Sequence, residues 1–199
     1  MNINIEKFVK IVASRAKNFE ELQKSGENWL KMFLENGWIK KGYRILDYGA
    51  GLGRISIPFS KIADVTAVDG NKEMVKFLKS KKIKASCLSN LDDLNFNKKF
   101  DFIISIYVLQ HIHFPNAQKL VTKMAELTDT LYFTYPIEED GCPDSYINYK
   151  QSYEVPVEDS SDVSRKMKLE ELPILFEHSD FDPNTIKRLF SNLFVIKKI

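Results

Sequence analysis

The sequence has few of the residues that build metal centres or covalent frameworks. Its 199 residues include two cysteines and three histidines. Neither Cys87 nor Cys142 belongs to a CxxC or His/Cys spacing typical of a zinc site. We therefore expect no bound metal and two reduced thiols, as in a cytoplasmic protein.

The sequence also lacks a strong charge of one sign and any long apolar run. Twenty-nine Lys and Arg residues stand against 27 Asp and Glu residues, a formal net charge of +2, so nucleic acid is not an expected partner. The N-terminal stretch MNINIEKFVK carries charges where a secretory signal would be apolar. The longest apolar run, FIISIYVL at 102–109, is too short to span a bilayer. These features predict a cytoplasmic protein without membrane segments.

Short apolar stretches alternate with amphipathic ones from residue 43 onward. Helices are predicted over 4–17 and 22–34, then over GRISIPFSKIA, NKEMVKFLKSK and NAQKLVTKMAEL, the last beginning at Asn116. Strands are predicted at YRILDY, DVTAVD, IKASCL, FDFIISIY and TLYFTY, and a closing hairpin at TIKRLF and LFVIKKI. Alternation of this kind predicts a doubly wound α/β fold. Its seven-stranded sheet should be mostly parallel, with an antiparallel C-terminal edge.

The chain length suits one domain with four parts. A helical cover (1–42) precedes the α/β core (43–136), and a loop or lid (137–167) precedes a C-terminal helix and hairpin (168–199). Residues 138–162 are rich in acidic residues and tyrosines. Such a segment would select a cationic ligand by charge, although a solvated loop is the favoured interpretation.

The stretch RILDYGAGLGRIS (44–56) places three glycines directly after the first core strand. Glycines there permit a tight turn and close approach of a ligand to the main chain. Their spacing is GxGxG, and Arg54 stands where the GxGxxG pattern of dinucleotide folds has its third glycine. Asp47 precedes the turn, where its charge repels a pyrophosphate and suits a cation. The sequence therefore predicts a positively charged ligand.

Asp69 ends the second core strand in VTAVDGN, where a carboxylate can accept hydrogen bonds from both ribose hydroxyls of an adenosine. Together with DYGAGLG and FDFIISIYVLQHI, this residue makes the chain resemble class I S-adenosylmethionine-dependent methyltransferases over residues 43–135. The resemblance implies S-adenosylmethionine as cofactor and S-adenosylhomocysteine as product. It assigns cofactor contacts to Asp47, Tyr48, Gly49, Ala50, Gly51, Asp69, Gly70, Met74, Asn90, Leu91, Ser105 and Ile106. The family often has aspartate where Asn90 stands, and the helical spacing of Met74 also suits core packing.

Methyl transfer needs donor and acceptor held at contact distance, and a base where the acceptor is a hydroxyl. His111, Tyr107 and Tyr135 follow predicted strands at the ligand-binding edge and are the candidate catalytic residues. The commoner role of a histidine such as His111 is to hydrogen-bond the loop backbone, and His113 and His178 are expected to be structural. The predicted function is methylation of a small-molecule acceptor.

Three alternatives remain open at this point. A nicotinamide oxidoreductase would need the absent GxGxxG pattern. An aminopropyltransferase would carry further acidic residues where this chain has YVLQHIHF. A cofactor-binding scaffold without turnover, acting on a partner enzyme, needs no base at all.

Overall fold

The computed structural model describes residues 17–88, 96–153 and 164–199. The predicted helix over 4–17 and the candidate residues Asn90 and Leu91 lie outside the described residues. The chain divides into two compact units, residues 1–93 and 94–199, and each unit is described by itself.

The first unit is a three-stranded parallel sheet with helices. Its elements are α1 (Phe19–Glu35), β1 (Arg44–Tyr48), α2 (Ser56–Phe59), β2 (Asp64–Asp69), α3 (Lys72–Ser80) and β3 (Lys84–Cys87). The strand order is β3-β2-β1, with Ile45 opposite Val65 and Ala67 opposite Ala85. Asn71 caps α3, because its Oδ1 accepts the backbone N–H of Glu73 at 2.8 Å. Strand β1 therefore ends next to Asp47 and strand β2 ends at Asp69, the two carboxyl groups predicted to bind a ligand.

The helix predicted over 53–63 is much shorter in the structure. The four-residue α2 forms its only helical turn, and turns flank it on both sides. Gly53 still adopts a left-handed conformation, and β2 already begins at Asp64. The helix contains four residues, Ser56–Phe59, where eleven were predicted, so the prediction was wrong in extent.

The second unit combines a parallel strand pair with an antiparallel hairpin. Its larger elements are β4 (Phe102–Ser105), α4 (Phe114–Leu127), β5 (Thr130–Thr134), β8 (Asp182–Phe190) and β9 (Leu193–Lys197), in the strand order β4-β5-β9-β8. Strand β9 runs antiparallel to both neighbours. Phe133 of β5 lies 5.6 Å from Phe194 of β9 and 5.1 Å from Phe176, measured between ring centres. These aromatic contacts anchor the predicted hairpin, which is confirmed.

Three boundaries in the second unit differ from the sequence prediction. Helix α4 begins at Phe114, two residues before Asn116, because Pro115 is well suited to the first helical turn. The predicted loop 137–167 contains 3₁₀ turns (Glu138–Asp140 and Tyr149–Tyr153) and a small parallel sheet of β6 (Ile147–Asn148) and β7 (Arg165–Lys166). The predicted C-terminal helix is a 3₁₀ helix, Leu169–Phe176, interrupted by Pro173.

The strands of the two units make up a seven-stranded, mostly parallel sheet with antiparallel C-terminal strands. The predicted fold class is therefore confirmed. Within the described ranges, every helix is too short or too polar to cross a membrane.

Candidate functional site

The turn after β1 is held in a conformation that favours glycine. Gly49, Gly51 and Gly53 have φ values of 75°, 52° and 76°, and a side chain at such angles is strained. At Gly53 a Cβ atom would also lie 2.8 Å from side-chain carbons of Ile57 and Leu78. The positive φ values disfavour side chains at all three glycines, and Ile57 and Leu78 leave no space for one at Gly53. The main chain of the turn is therefore bare.

The backbone N–H groups of this turn are used inside the protein. Gly49 and Ala50 both donate to the carbonyl oxygen of Val68, at 2.8 and 3.1 Å, and Gly53 donates to that of Ala50 at 2.8 Å. Phosphate-binding turns instead aim such groups at the anion. The arrangement argues against a pyrophosphate ligand and agrees with the predicted preference for a cation.

Asp69 at the end of β2 is fixed by two backbone donors. Gly51 N–H donates to Oδ2 and Asn71 N–H donates to Oδ1, each over 2.8 Å. A carboxylate oxygen accepts two hydrogen bonds, so each oxygen keeps one acceptor site. Two adjacent hydroxyls, as in a ribose, match this remaining capacity.

Asp47, near the end of β1, is almost completely buried. It is 2% exposed, and the Ser56 hydroxyl donates to its Oδ2 at 2.5 Å. Burial raises its pKa from 3.8 to about 7; the hydrogen bonds to Ser56 oppose the rise and the charge of Asp69 adds to it. The negative charge predicted at Asp47 is therefore only partly present at neutral pH, and a nearby cation would favour it.

The remaining candidates of the first unit lie around these two carboxyl groups. Burial, together with the charge of Asp69, raises the pKa of Tyr48 to about 12, so its hydroxyl stays protonated. Gly70 is exposed directly after β2. Met74 is buried on the inner face of α3, which agrees with a core position and leaves its adenine contact a prediction.

Gly26 is a site residue that the sequence reasoning missed. It lies within α1, where a Cβ atom would approach the carbonyl oxygen of Arg54 to 1.8 Å. Helix α1 thus packs directly against the residue that follows the glycine turn. The available signal was a glycine in the middle of an amphipathic helix, where it costs stability unless close packing requires it.

In the second unit, the end of β4 carries a strained residue. Ser105 and Ile106 are buried, whereas Tyr107 is 39% exposed and has φ of 59°. The hydroxyl of Thr134 at the end of β5 accepts the backbone N–H of Tyr107 at 2.6 Å. A positive φ at an aromatic residue costs free energy and needs such support.

His111 follows β4 and is partly buried. Its Nδ1 lies 3.3 Å from Oγ of Ser164. Burial and the positive charge of Arg165 lower the pKa of its imidazole. The ring is therefore neutral at physiological pH, as a general base must be.

Tyr135 follows β5 and is fully buried. Burial raises the pKa of its phenol well above the usual value. The hydroxyl therefore remains protonated and can act as a hydrogen-bond donor, but not as a base.

Arg165 is a second residue that the sequence reasoning missed. Its side chain is fully buried, and Nη1 donates to the backbone carbonyl oxygen of Gln110 at 3.4 Å. It was predicted only as part of a loop or lid, because a single basic residue in a polar segment has no periodicity. The fold brings it beside His111 and Tyr135, whose pKa values its charge affects.

Three of the acidic residues described in the predicted lid have structural contacts. Glu138 Oε1 accepts the side-chain amide of Asn148 at 2.7 Å, and Asp140 forms an ion pair with Arg188. Glu139 accepts the backbone N–H of Leu169. These contacts favour a structural role for the three carboxylates over selection of a cationic ligand.

Comparison with known proteins assigns the core of the chain. Residues 45–130 match the sequence family described as a methyltransferase domain. A probable S-adenosyl-L-methionine-dependent methyltransferase of Haemophilus influenzae, TehB, is 29% identical over 92 residues. The core of the chain is therefore similar to S-adenosylmethionine-dependent methyltransferases. The alignment covers 43% of this chain and 32% of TehB, so the chain matches about a third of that methyltransferase's length.

Solved methyltransferases share the fold. A methyltransferase of Clostridium acetobutylicum superposes with a TM-score of 0.65 at 15% identity, over 96% of each chain. Magnesium protoporphyrin IX methyltransferase of Synechocystis, solved with bound S-adenosylhomocysteine, superposes with a TM-score of 0.65 at 18% identity, over 97% of this chain and 93% of that one. Enzymes of this class use S-adenosylmethionine as cofactor.

The predicted site residues fall into two groups. The structure brings together Asp47, the glycine turn and Asp69 in the first unit. In the second unit, His111 and Tyr135 both lie close enough to Arg165 for its charge to act on them. Asn90 and Leu91 lie outside the described residues, so their adenine contacts stay predictions.

Proposed function

We propose that the protein transfers the methyl group of S-adenosylmethionine to a small-molecule acceptor and releases S-adenosylhomocysteine. The observation that carries this proposal is the Asp69 carboxylate, fixed by two backbone N–H groups with one acceptor site left on each oxygen. The similarity of residues 45–130 to methyltransferase domains supports the same cofactor.

The first unit supplies the cofactor contacts. Asp69 accepts hydrogen bonds from the two ribose hydroxyls. Tyr48, Gly70 and Met74 lie beside the nucleoside. The backbone of the glycine turn, from Gly49 to Gly51, contacts the methionine portion of the cofactor.

Asp47 responds to the charge of the ligand. When bound, the cofactor supplies a methyl group on a positively charged sulfur, next to an ammonium group. A positive charge near Asp47 favours its ionised form, so binding releases a proton where the carboxyl was neutral. Asp47 is therefore negatively charged when the cation is bound. In the free protein its protonated form avoids the cost of a buried charge.

The second unit supplies the acceptor contacts. The exposed phenol of Tyr107, after β4, lines the acceptor pocket. His111 is neutral and accepts the proton that an oxygen or nitrogen acceptor loses on methylation. Tyr135 stays protonated and donates a hydrogen bond to the acceptor.

Methyl transfer itself is tested with methyl-labelled S-adenosylmethionine and a whole-cell extract that contains small molecules, protein and nucleic acid. The expected result is label in one small molecule, lost in Asp69→Ala and retained in Asp64→Ala, a surface change at the opposite end of β2. Label in protein or nucleic acid would contradict the small-molecule acceptor. Binding of S-adenosylhomocysteine without any transfer would instead identify a silent scaffold.

A further inference from the structure

The edge of the sheet where β4 and β5 end holds buried oxygen atoms without hydrogen-bond partners. Among the described residues, three buried side-chain oxygen atoms have no partner: Oγ of Ser105, Oε1 of Gln110 and the hydroxyl of Tyr135. Ser105 is the last residue of β4, Gln110 lies in a 3₁₀ turn after that strand, and Tyr135 follows β5. Strands β4 and β5 are parallel, so the residues after them lie at one edge, where α/β folds bind their ligands.

Two of these oxygen atoms belong to neighbouring elements. The 3₁₀ turn that carries Gln110 contacts β5, the strand that Tyr135 follows. Nη1 of Arg165 donates to the backbone carbonyl oxygen of Gln110 at 3.4 Å, and the charge of Arg165 acts on the phenol of Tyr135. Gln110 is 3% exposed and Tyr135 is fully buried. The fold therefore brings an amide oxygen and a phenol together below the surface.

The hydrogen-bonding capacity of these two atoms defines the group that fits them. Burial removes water from a polar atom, and an atom without a new partner gains nothing in return. The amide oxygen of Gln110 can only accept a hydrogen bond, whereas the hydroxyl of Tyr135 can donate one. A matching group has to donate and accept at the same time. The smallest such group is a hydroxyl, which does both through one oxygen atom.

The surroundings favour an uncharged group. A carboxylate has only acceptor atoms and would face the Gln110 oxygen without a proton between them. Burial and the charge of Arg165 lower the pKa of His111, and the same charge would repel an ammonium group. The phenol of Tyr135 is itself uncharged, because burial raises its pKa.

We propose that Gln110 and Tyr135 bind a hydroxyl group of the methyl acceptor. The hydroxyl donates to Oε1 of Gln110 and accepts from the phenol. The inference rests on the proposed function, since it concerns the acceptor of that reaction. An amide oxygen and a protonated phenol take up no proton, so this hydroxyl holds the acceptor in place and another atom is methylated. Both protein atoms are buried, so the ligand reaches them by displacing a side chain that covers them.

The test measures binding of alcohols and their methyl ethers to the protein saturated with S-adenosylhomocysteine. The pairs are benzyl alcohol and benzyl methyl ether, phenol and anisole, and cyclohexanol and methoxycyclohexane. A methyl ether keeps the oxygen that accepts from Tyr135 but has no proton for Gln110. We expect at least one alcohol to raise the thermal midpoint and to bind about tenfold more tightly than its ether.

Two results of this comparison would overturn the proposal. One is an equal response to the alcohol and the ether within every pair, including no response to either. The other is tighter binding of benzoate, benzylamine or benzamide than of benzyl alcohol, since these probes carry a charge or a larger polar group.

Gln110→Met separates the two contacts. Methionine has about the same length as glutamine and lacks the acceptor oxygen. The alcohol should therefore bind about tenfold more weakly, whereas the ether should bind as it does to the wild type. An unchanged preference for the alcohol in this variant would show that Gln110 is not its partner.

Tyr135→Phe removes only an oxygen atom without a partner. The ligand-free variant should keep or raise its thermal midpoint, while the alcohol and the ether both bind about tenfold more weakly. The matched control is Tyr132→Phe, the same chemical change within β5, which should leave both affinities unchanged. If Gln110→Met does not fold, Tyr135→Phe decides alone, and wild-type affinity for the alcohol would overturn the assignment.

The two proposals fail in different ways. Loss of the preference for alcohols with an intact response to S-adenosylhomocysteine contradicts only the hydroxyl site. A preference for alcohols in a protein that does not respond to S-adenosylhomocysteine contradicts only the methyltransferase function.

Discussion

Gly51 donates its backbone N–H to Oδ2 of Asp69 over 2.8 Å, which joins the turn after β1 to the end of β2. The same carboxylate accepts the N–H of Asn71, the residue that caps α3. One side chain thus orients the glycine turn and the start of a helix. A ligand held by Asp69 meets a carboxylate that needs no further ordering.

Asp69→Ala should weaken binding of S-adenosylhomocysteine about a hundredfold, because two charge-assisted hydrogen bonds to the ribose are lost. Asp64→Ala, which removes an exposed partner of Lys84 from the start of β2, serves as the control and should bind normally. Isothermal titration calorimetry measures both. Unchanged affinity of a folded Asp69→Ala protein would show that the ribose lies elsewhere.

The buried carboxyl of Asp47 should make stability depend on pH. Its pKa rises from 3.8 in the unfolded chain to about 7 in the fold. Between these values the unfolded state has lost the proton and the folded state keeps it, so the free energy of unfolding falls as pH rises, by up to about 4 kcal/mol.

Asp47→Asn removes this titration and still accepts the hydrogen bond from Ser56. The variant and the wild type should therefore be equally stable at pH 3, and the variant should be the more stable above pH 7. Urea unfolding across that range measures the difference. Parallel pH profiles of the two proteins would contradict burial of an ionisable Asp47.

Gly26→Ala should destabilise the protein, although alanine is the better helix former by about 1 kcal/mol. The added methyl group would lie 1.8 Å from the Arg54 carbonyl oxygen, so α1 has to shift, at a cost of about 2 kcal/mol or more. Binding of S-adenosylhomocysteine should weaken too, since Arg54 follows the glycine turn.

Gly37→Ala is the matched control for that change. Gly37 has φ of +68° and open space around it, so alanine there adds about 1 kcal/mol of backbone strain and no clash. Affinity for S-adenosylhomocysteine should stay at the wild-type value. A stabilised Gly26→Ala protein would show that α1 does not pack on Arg54.

Thr134→Val should lower the free energy of unfolding by about 2 kcal/mol, because the N–H of Tyr107 loses its acceptor. Thr134→Ser keeps the hydroxyl and should cost about 1 kcal/mol for the missing methyl group. In the methyl-transfer assay, valine should raise the acceptor KM by releasing the strained Tyr107, and serine should not. Equal acceptor KM values in the two variants would show that Thr134 does not affect acceptor binding.

Local pattern was sufficient wherever a residue's role depends on its own strand or turn. The stretch DVTAVD forms β2 as predicted, with Asp69 as its last residue, because apolar strands and their polar ends are visible in the sequence. The glycine turn and the carboxylate beside it follow from the same local signals, and so do the class of fold and the antiparallel hairpin.

Contacts between distant segments could not be predicted in this way. The lengths of α2 and α4 depend on where neighbouring turns and prolines lie, and the contact of Gly26 with Arg54 depends on how α1 packs. Arg165 and Gln110 are 55 residues apart, yet a hydrogen bond joins them. By itself the sequence determined the class of fold and the positions of the glycine turn and Asp69, since periodicity and turn chemistry are local. Only the tertiary structure decided the pKa of Asp47 and the surroundings of Tyr135, because burial and electrostatic environment arise when separate elements pack together.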